Sequence, residues 1–466
     1  MGAALVFALA AGCNADDAPG GYLDDARVRR AALEASLIEP TNTYSRRRLE
    51  HYASGGEGDW DALPVWNPRA VPVAALELEQ IGGAPARTTL APDARALDVE
   101  LDEEITPEGL RAIGEAAFWR YPAQRAPSAA VALRSPESAA SYGLWVDDQR
   151  GVGGLVRAEM PDGATALALS CASCHAAPRP GLGLVMGVGN ERLDLGRLVF
   201  DNLDTSALDG PGSFGAGGRS ADLDDLGSLG AGGRSADLDD LGSLSARGRS
   251  AEAAGLLRWG PGRVDVSTAQ GVEPVRIPDL RPTRWLTHLH HAGAVAQTDR
   301  IALAVRIETL LITSYGATLR PPRAVALGLA YFLWSLSSPS PPSPPTGDVE
   351  TRGEALFGER CARCHAPPGF AGPPVAIDEV GTEPSIARST ERGTGRYRVP
   401  SLRGVGSRGP LLHDASAPSL AVLFDPARVE TGFEGSTRGG AIAGHAFGLE
   451  LDDTERAALI AYLNTL

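Results

Sequence analysis

The motif C-x-x-C-H occurs twice in this chain, as CASCH at Cys171–His175 and as CARCH at Cys361–His365. The two copies use four of the five cysteines. A disulfide in each motif would employ the thiols and leave both histidines idle. A zinc site would need two further ligands, and no neighbouring cysteine supplies them. Covalent haem attachment uses every residue: two thiols add to the haem vinyl groups, and the adjacent histidine reaches the iron from the proximal side. The pattern therefore predicts two covalently attached haem c groups. One is held by Cys171, Cys174 and His175, the other by Cys361, Cys364 and His365, with iron ligated by His175 and His365.

With 466 residues the chain has room for roughly two to four domains. The formal net charge is −15, which argues against nucleic acid and anionic lipid as partners and leaves redox proteins. All 43 basic side chains are arginine, so no lysine competes for iron. The fifth cysteine, Cys13, follows an apolar run in LVFALAAGCNADD. That pattern is similar to a bacterial lipoprotein signal, with Ala10 where leucine is usual. It predicts a signal segment over 1–13, a lipid anchor at Cys13 as the sole membrane attachment, and a periplasmic or cell-envelope location. Covalent haem attachment points to the same compartment. The apolar stretch Val325–Leu336 is too short to span a bilayer and reads as a buried helix.

The two motifs sit in related settings. TPEGLRAIGEAAFWRYP reads as an amphipathic helix capped at Thr106 with Pro107 in its first turn. Its GEAAF at Gly114–Phe118 matches GEALF at Gly353–Phe357. The second copy runs directly into Cys361, as the first helix of a cytochrome c runs into its haem motif. The first reaches Cys171 only after an insertion, whose GLVRAEMPDGATALALS predicts a β-hairpin turning at Pro161–Gly163. Apolar helices are expected at Asp299–Thr318 and Pro322–Ser335. A capped helix in DDTERAALIAYLNTL should place Leu459, Ile460 and Leu463 on one face and Tyr462 against the helix carrying Phe357. The expected fold class is mainly α, with two cytochrome c-like helical haem domains. The first is elaborated by the hairpin and by a long disordered insertion over 210–250. There GAGGRSADLDDLGSL stands twice, too short and too Gly-rich a unit to stack as a solenoid. The expected domains are an N-terminal extension over 14–104 with one helix stopped by Pro40, a first haem domain over 105–336, a Pro-rich linker over 337–347 and a C-terminal domain over 348–466.

Methionine occurs only at Met1, Met160 and Met186, so nothing after Cys361 supplies a His/Met pair. The remaining histidines there are His413 and His445. His445, in a Gly-rich loop, is the favoured second ligand, with His413 in a supporting role. For the first haem the candidates are His290, its neighbours His288 and His291, and Met186, or the position is open to a small oxidant. Arg263 and Arg403, each near an aromatic residue and a turn, are candidate propionate partners.

YRVPSLRGVGSRGPLLHDASAPSL resembles a segment of the di-haem cytochrome c peroxidases. GHAFGLELDDTERAALIAYLNTL, and WGPGRVDV followed by IPDLRPTRWLTHLHHAG, resemble the branch that includes the bacterial rubber oxygenases. The resemblance covers about residues 105–200 and 255–466, and in the oxygenase branch it implies a bis-histidine C-terminal haem whose second histidine matches His445. The family's histidine–tryptophan–aspartate–glycine stretch reads His290–His291–Ala292–Gly293 here. The expected function is electron transfer by a di-haem c-type cytochrome in the cell envelope. The alternative is a di-haem peroxidase or oxygenase with an open first haem supplied with electrons by the second.

Overall fold

The computed structural model describes residues 19–75, 78, 90–101, 105–202, 255–265, 274–336 and 343–466. The segment with Cys13, the tandem repeats and the first part of the Pro-rich linker lie outside the described residues. The longer helices are α1 (Ala26–Ser36), α2 (Thr43–His51), α3 (Pro107–Arg120), α4 (Arg300–Ser314), α5 (Arg323–Ser335), α6 (Asp348–Arg360) and α7 (Asp453–Leu463).

The matching GEAAF and GEALF segments make matching helix crossings. In α3, a Cβ built on Gly114 would stand 2.0 Å from the carbonyl oxygen of Gly328 in α5. One turn on, the Phe118 and Phe332 rings meet with centroids 5.4 Å apart. In α6, a Cβ on Gly353 would stand 2.0 Å from the carbonyl oxygen of Ala458 in α7. One turn on, Phe357 meets Tyr462 at 5.3 Å. Each crossing brings two backbones to a distance that only glycine permits and closes it with an aromatic pair four residues away. Thr106 caps α3 by accepting from Gly109 N, and Asp452 with Glu455 forms a capping box on α7. Leu459 and Leu463 are buried, and Ile460 packs against the same core. Gly353→Ala should therefore force the helices apart and destabilise the C-terminal domain by about 1–3 kcal/mol. Denaturant unfolding of the haem-loaded protein measures this, and Gly358→Ala, a position with open space around it, serves as the control.

The hairpin forms as Leu155–Glu159 paired antiparallel with Thr165–Leu169, turning through Pro161–Gly163. Its second strand ends two residues before Cys171 and so delivers the first motif, which makes a one-turn helix over Cys171–His175.

The N-terminal region differs from expectation. It contains α1 and α2, with α1 ending at Ser36 rather than running to Pro40. It is also not an extension. Tyr22 and Tyr52 donate hydrogen bonds of 2.7 and 2.5 Å to the wholly buried carboxylate of Glu308 in α4. Burial, reinforced by that carboxylate, raises both phenol pKa values, so the hydroxyls stay donors. Strand Ala70–Pro72 adds to the hairpin sheet. Tyr22, Trp60 and Trp66 share one core with α3, α4 and α5, so the boundary expected at residue 105 separates no packing unit.

Candidate haem sites

Cys361, Cys364 and His365 follow α6 and line a cavity otherwise walled mainly by apolar side chains such as Leu411, Leu423 and Phe424. His365 Nδ1 lies 3.1 Å from the carbonyl oxygen of Phe370. A carbonyl only accepts, so Nδ1 carries the proton and Nε2 is the nitrogen left to ligate. Burial pulls the His365 pKa down to about 4, which keeps the imidazole neutral, as ligation requires. Burial raises the Cys361 thiol to about 11. A redox-active or zinc-binding dithiol needs the opposite shift, whereas a thiol held against an apolar wall fits thioether formation with a haem.

His445 lines the same cavity, where burial, reinforced by the nearby His365, pulls its pKa down to about 4. Its backbone is left-handed, with φ +45°, a conformation that costs a non-glycine residue about 1–3 kcal/mol. The surroundings hold it there. His445 N donates to Val380 O at 2.6 Å, and the fully buried Arg428 donates to the carbonyls of Gly444 and His445 at 2.8 Å each. The ring's Nδ1 is buried with no hydrogen-bond partner. His413 is also in the wall, but its Nε2 is engaged by Tyr397 Oη at 3.3 Å and lies 3.7 Å from Glu383. Of the two, His445 is the one with an uncommitted nitrogen pinned beside His365.

Cys171, Cys174 and His175 line a second, mainly apolar cavity. The same local chemistry recurs. His175 Nδ1 bonds Pro278 O at 3.1 Å, and burial lowers the His175 pKa to about 4 and raises both thiols to about 12. The far side is built differently. His290, at φ +64°, accepts a 2.7 Å hydrogen bond at Nε2 from Arg306 Nε, and its ring meets the edge of Tyr44 at 4.9 Å. His291 Nε2 bonds Arg276 O at 3.1 Å. His288 lies off the cavity, its Nδ1 on Thr287 Oγ1. Met186 does too, in a strand paired with Ala176 and packed on the main core.

Arg263 and Arg403, the expected propionate partners, are not among the residues that line the His365 or His175 cavity. Arg263 is buried among Arg438, Asp414 and Asp194. Arg403 lies over the Trp285 ring and donates to Pro368 O. The arginines that line the His365 cavity are Arg276, Arg360, Arg363, Arg398 and Arg408, and those that line the His175 cavity are Arg276, Arg306 and Arg398. Arg276 and Arg398 line both, and so does His291. Arg398 stands in the strand Arg396–Val399 between the buried Tyr397 and Val399. That strand context, rather than nearness to a turn, was the signal available in the sequence.

A family model described as Cytochrome c matches residues 350–466, the span that carries the His365 cavity. Residues 350–466 are a cytochrome c domain. Such a domain carries covalently bound haem c and haem-based redox chemistry, and Cys361, Cys364 and His365 fit that group. No curated protein matches the chain. Among solved structures, a MauG-like protein associated with microbial copper homeostasis is 18% identical over 53% of this chain and 86% of its own, with a TM-score of 0.33. Hydrazine synthase of Kuenenia stuttgartiensis is 16% identical over 55% of this chain and 96% of that chain, with a TM-score of 0.29. Both likenesses are loose. Among the described residues no helix is long and apolar enough to cross a membrane.

Proposed function

We propose that the protein is a di-haem c-type cytochrome that passes electrons between redox partner proteins in the bacterial cell envelope, held there by a lipid at Cys13. The observation that carries the reading is the second cavity. It repeats the two thiols and the Nδ1-anchored histidine of the cytochrome c domain and shares a wall with that domain's own cavity. Two redox groups meeting at one wall suit electron passage. The haems supply the electron chemistry. The protein keeps His175 and His365 neutral, excludes water with apolar walls and sets the charge around each site. In the cytochrome c domain His445 is the proposed second ligand.

A second reading is a peroxidase or oxygenase of the di-haem cytochrome c peroxidase superfamily, and it is favoured by the His290–Arg306 pair. Nε2 of His290 is bound by Arg306 while its buried Nδ1 has no hydrogen-bond partner, so the first cavity presents an arginine–imidazole pair. Such a pair suits a small oxidant. Absorption spectra of the ferric and ferrous protein, with carbon monoxide and with peroxide, separate the two. The electron-transfer reading expects two low-spin haems indifferent to both. The enzymatic reading expects one haem per chain to take up carbon monoxide and to react with peroxide.

A further inference from the structure

The wall between the two cavities carries more positive charge than the protein neutralises. Arg276, from the strand Pro274–Arg276, and Arg398, from Arg396–Val399, border both cavities, and Arg408 borders the cytochrome c cavity. Arg276 gives one hydrogen bond, Nη1 to Pro410 O, and its Nε is buried with no partner. Arg408 gives Nη2 to Ser401 O, and its Nε is likewise buried without a partner, 4.0 Å from Asp279. The Arg398 guanidinium makes no hydrogen bond or ion pair with any described residue, and its accessible surface borders the cavities.

The nearby carboxylates are already committed. Asp279 is gripped by Arg281 through three hydrogen bonds of 2.5 to 3.1 Å between side chains, and Glu191 pairs with Arg179 at 2.8 Å. A buried guanidinium without an anion costs several kcal/mol. Burial lowers the Arg398 pKa only to about 10, so the charge persists at neutral pH.

We propose that Arg276 and Arg398 are a shared carboxylate anchor that holds haem propionates from both cavities, so that the two haems turn their propionate edges to one wall. Each haem carries two carboxylates, and a guanidinium fork matches carboxylate geometry. Among the described residues no carboxylate lines both cavities, whereas haem propionates would supply anions on both sides of these side chains. His291 fixes the spacing: its Nε2 bonds Arg276 O, and its carbonyl accepts from Arg398 N at 2.8 Å. Arg276 and Arg398 are thus positioning residues, and their charge acts on both irons at once.

The inference rests on the two-haem reading, so the test begins with the haem count of the full-length wild-type protein by pyridine haemochrome. Two haems per chain uphold that reading; one haem overturns it and the shared anchor together. Potentiometric titration of Arg398→Leu then follows. Because attachment is through the thiols, both haems should remain. Because a positive charge favours the reduced iron, both midpoint potentials should fall. Arg398→Lys should leave both close to wild type, and Arg388→Leu, at an exposed arginine paired with Asp378, should move neither. Two haems with only one potential displaced, or with neither displaced, would overturn the anchor. So would Arg398→Lys falling as far as Arg398→Leu. If Arg398→Leu does not fold, Arg276→Leu is read against the same outcomes.

Discussion

Replacing Cys361 and Cys364 together by alanine is expected to take the protein from two haems per chain to one. The mass of the intact chain should fall by one covalent haem. Both cysteines line the cavity that His365 also lines, and burial keeps the Cys361 thiol protonated rather than activated as a thiolate. No third cysteine borders this cavity, so no other residue can take over attachment. The loss should unsettle the domain as well. The apolar walls between α6, α7 and the loop of His445 would then lose the group they enclose, and an unfilled apolar cavity destabilises the packing around it. Residues 350–466 should become protease-sensitive while the first core, sealed by its own crossing of α3 and α5, resists. Cys171→Ala with Cys174→Ala should give the converse: one haem retained in the cytochrome c domain. Pyridine haemochrome and intact mass read both variants, and a double variant that kept two haems would refute the assignment of that motif.

Some of this was legible in the sequence because the signals were short and local. The cysteine–histidine motifs, the hairpin around Pro161–Gly163, the capping box at Asp452–Glu455 and the Phe357–Tyr462 contact each depend on residues whose spacing alone sets the geometry. What was not legible depends on distant pairing. Tyr22 and Tyr52 are scattered aromatics with no period, and their partner Glu308 lies more than 250 residues away. The N-terminal region therefore read as an extension, although it closes the first core. The anchoring arginines were hidden for the same reason. In a chain whose basic residues are all arginine, the few facing a cavity cannot be told from the rest until strands from both halves are set side by side. Arg263 and Arg403 had the right neighbours in sequence and the wrong ones in space. Histidine spacing misled in a different way. His288, His290 and His291 lie within four residues, yet they point to three places: Thr287 at the surface, Arg306 in the first cavity and Arg276 in the shared wall.

His445→Ala is expected to open the iron of the cytochrome c domain. No methionine follows Cys361, and of the histidines that share the cavity wall with His365, His291 and His413 are held through Nε2 by Arg276 O and Tyr397, whereas His445 stands beside His365 with its Nδ1 buried and unpartnered. The strained backbone supports the same role. A left-handed histidine costs stability in every state of the protein, and Arg428 and Val380 hold it in place, as expected where the imidazole's position matters more than the cost. With two imidazoles the haem should be low-spin and of relatively low potential, since methionine is the ligand that raises it. The alanine variant should bind carbon monoxide in its ferrous form at a site the wild type lacks, and show high-spin absorption in its ferric form. Its backbone strain is unchanged, because alanine at φ +45° is no easier than histidine, so a change in global stability should be small beside the spectral change. His413→Ala should leave the spin state alone and shift the midpoint only modestly, because it frees Tyr397 and Glu383 rather than the iron. If His413→Ala opened the iron and His445→Ala did not, the two histidines would exchange roles. If neither did, the pinned loop of His445 would need another purpose, and this haem would itself become the candidate for reaction with small oxidants.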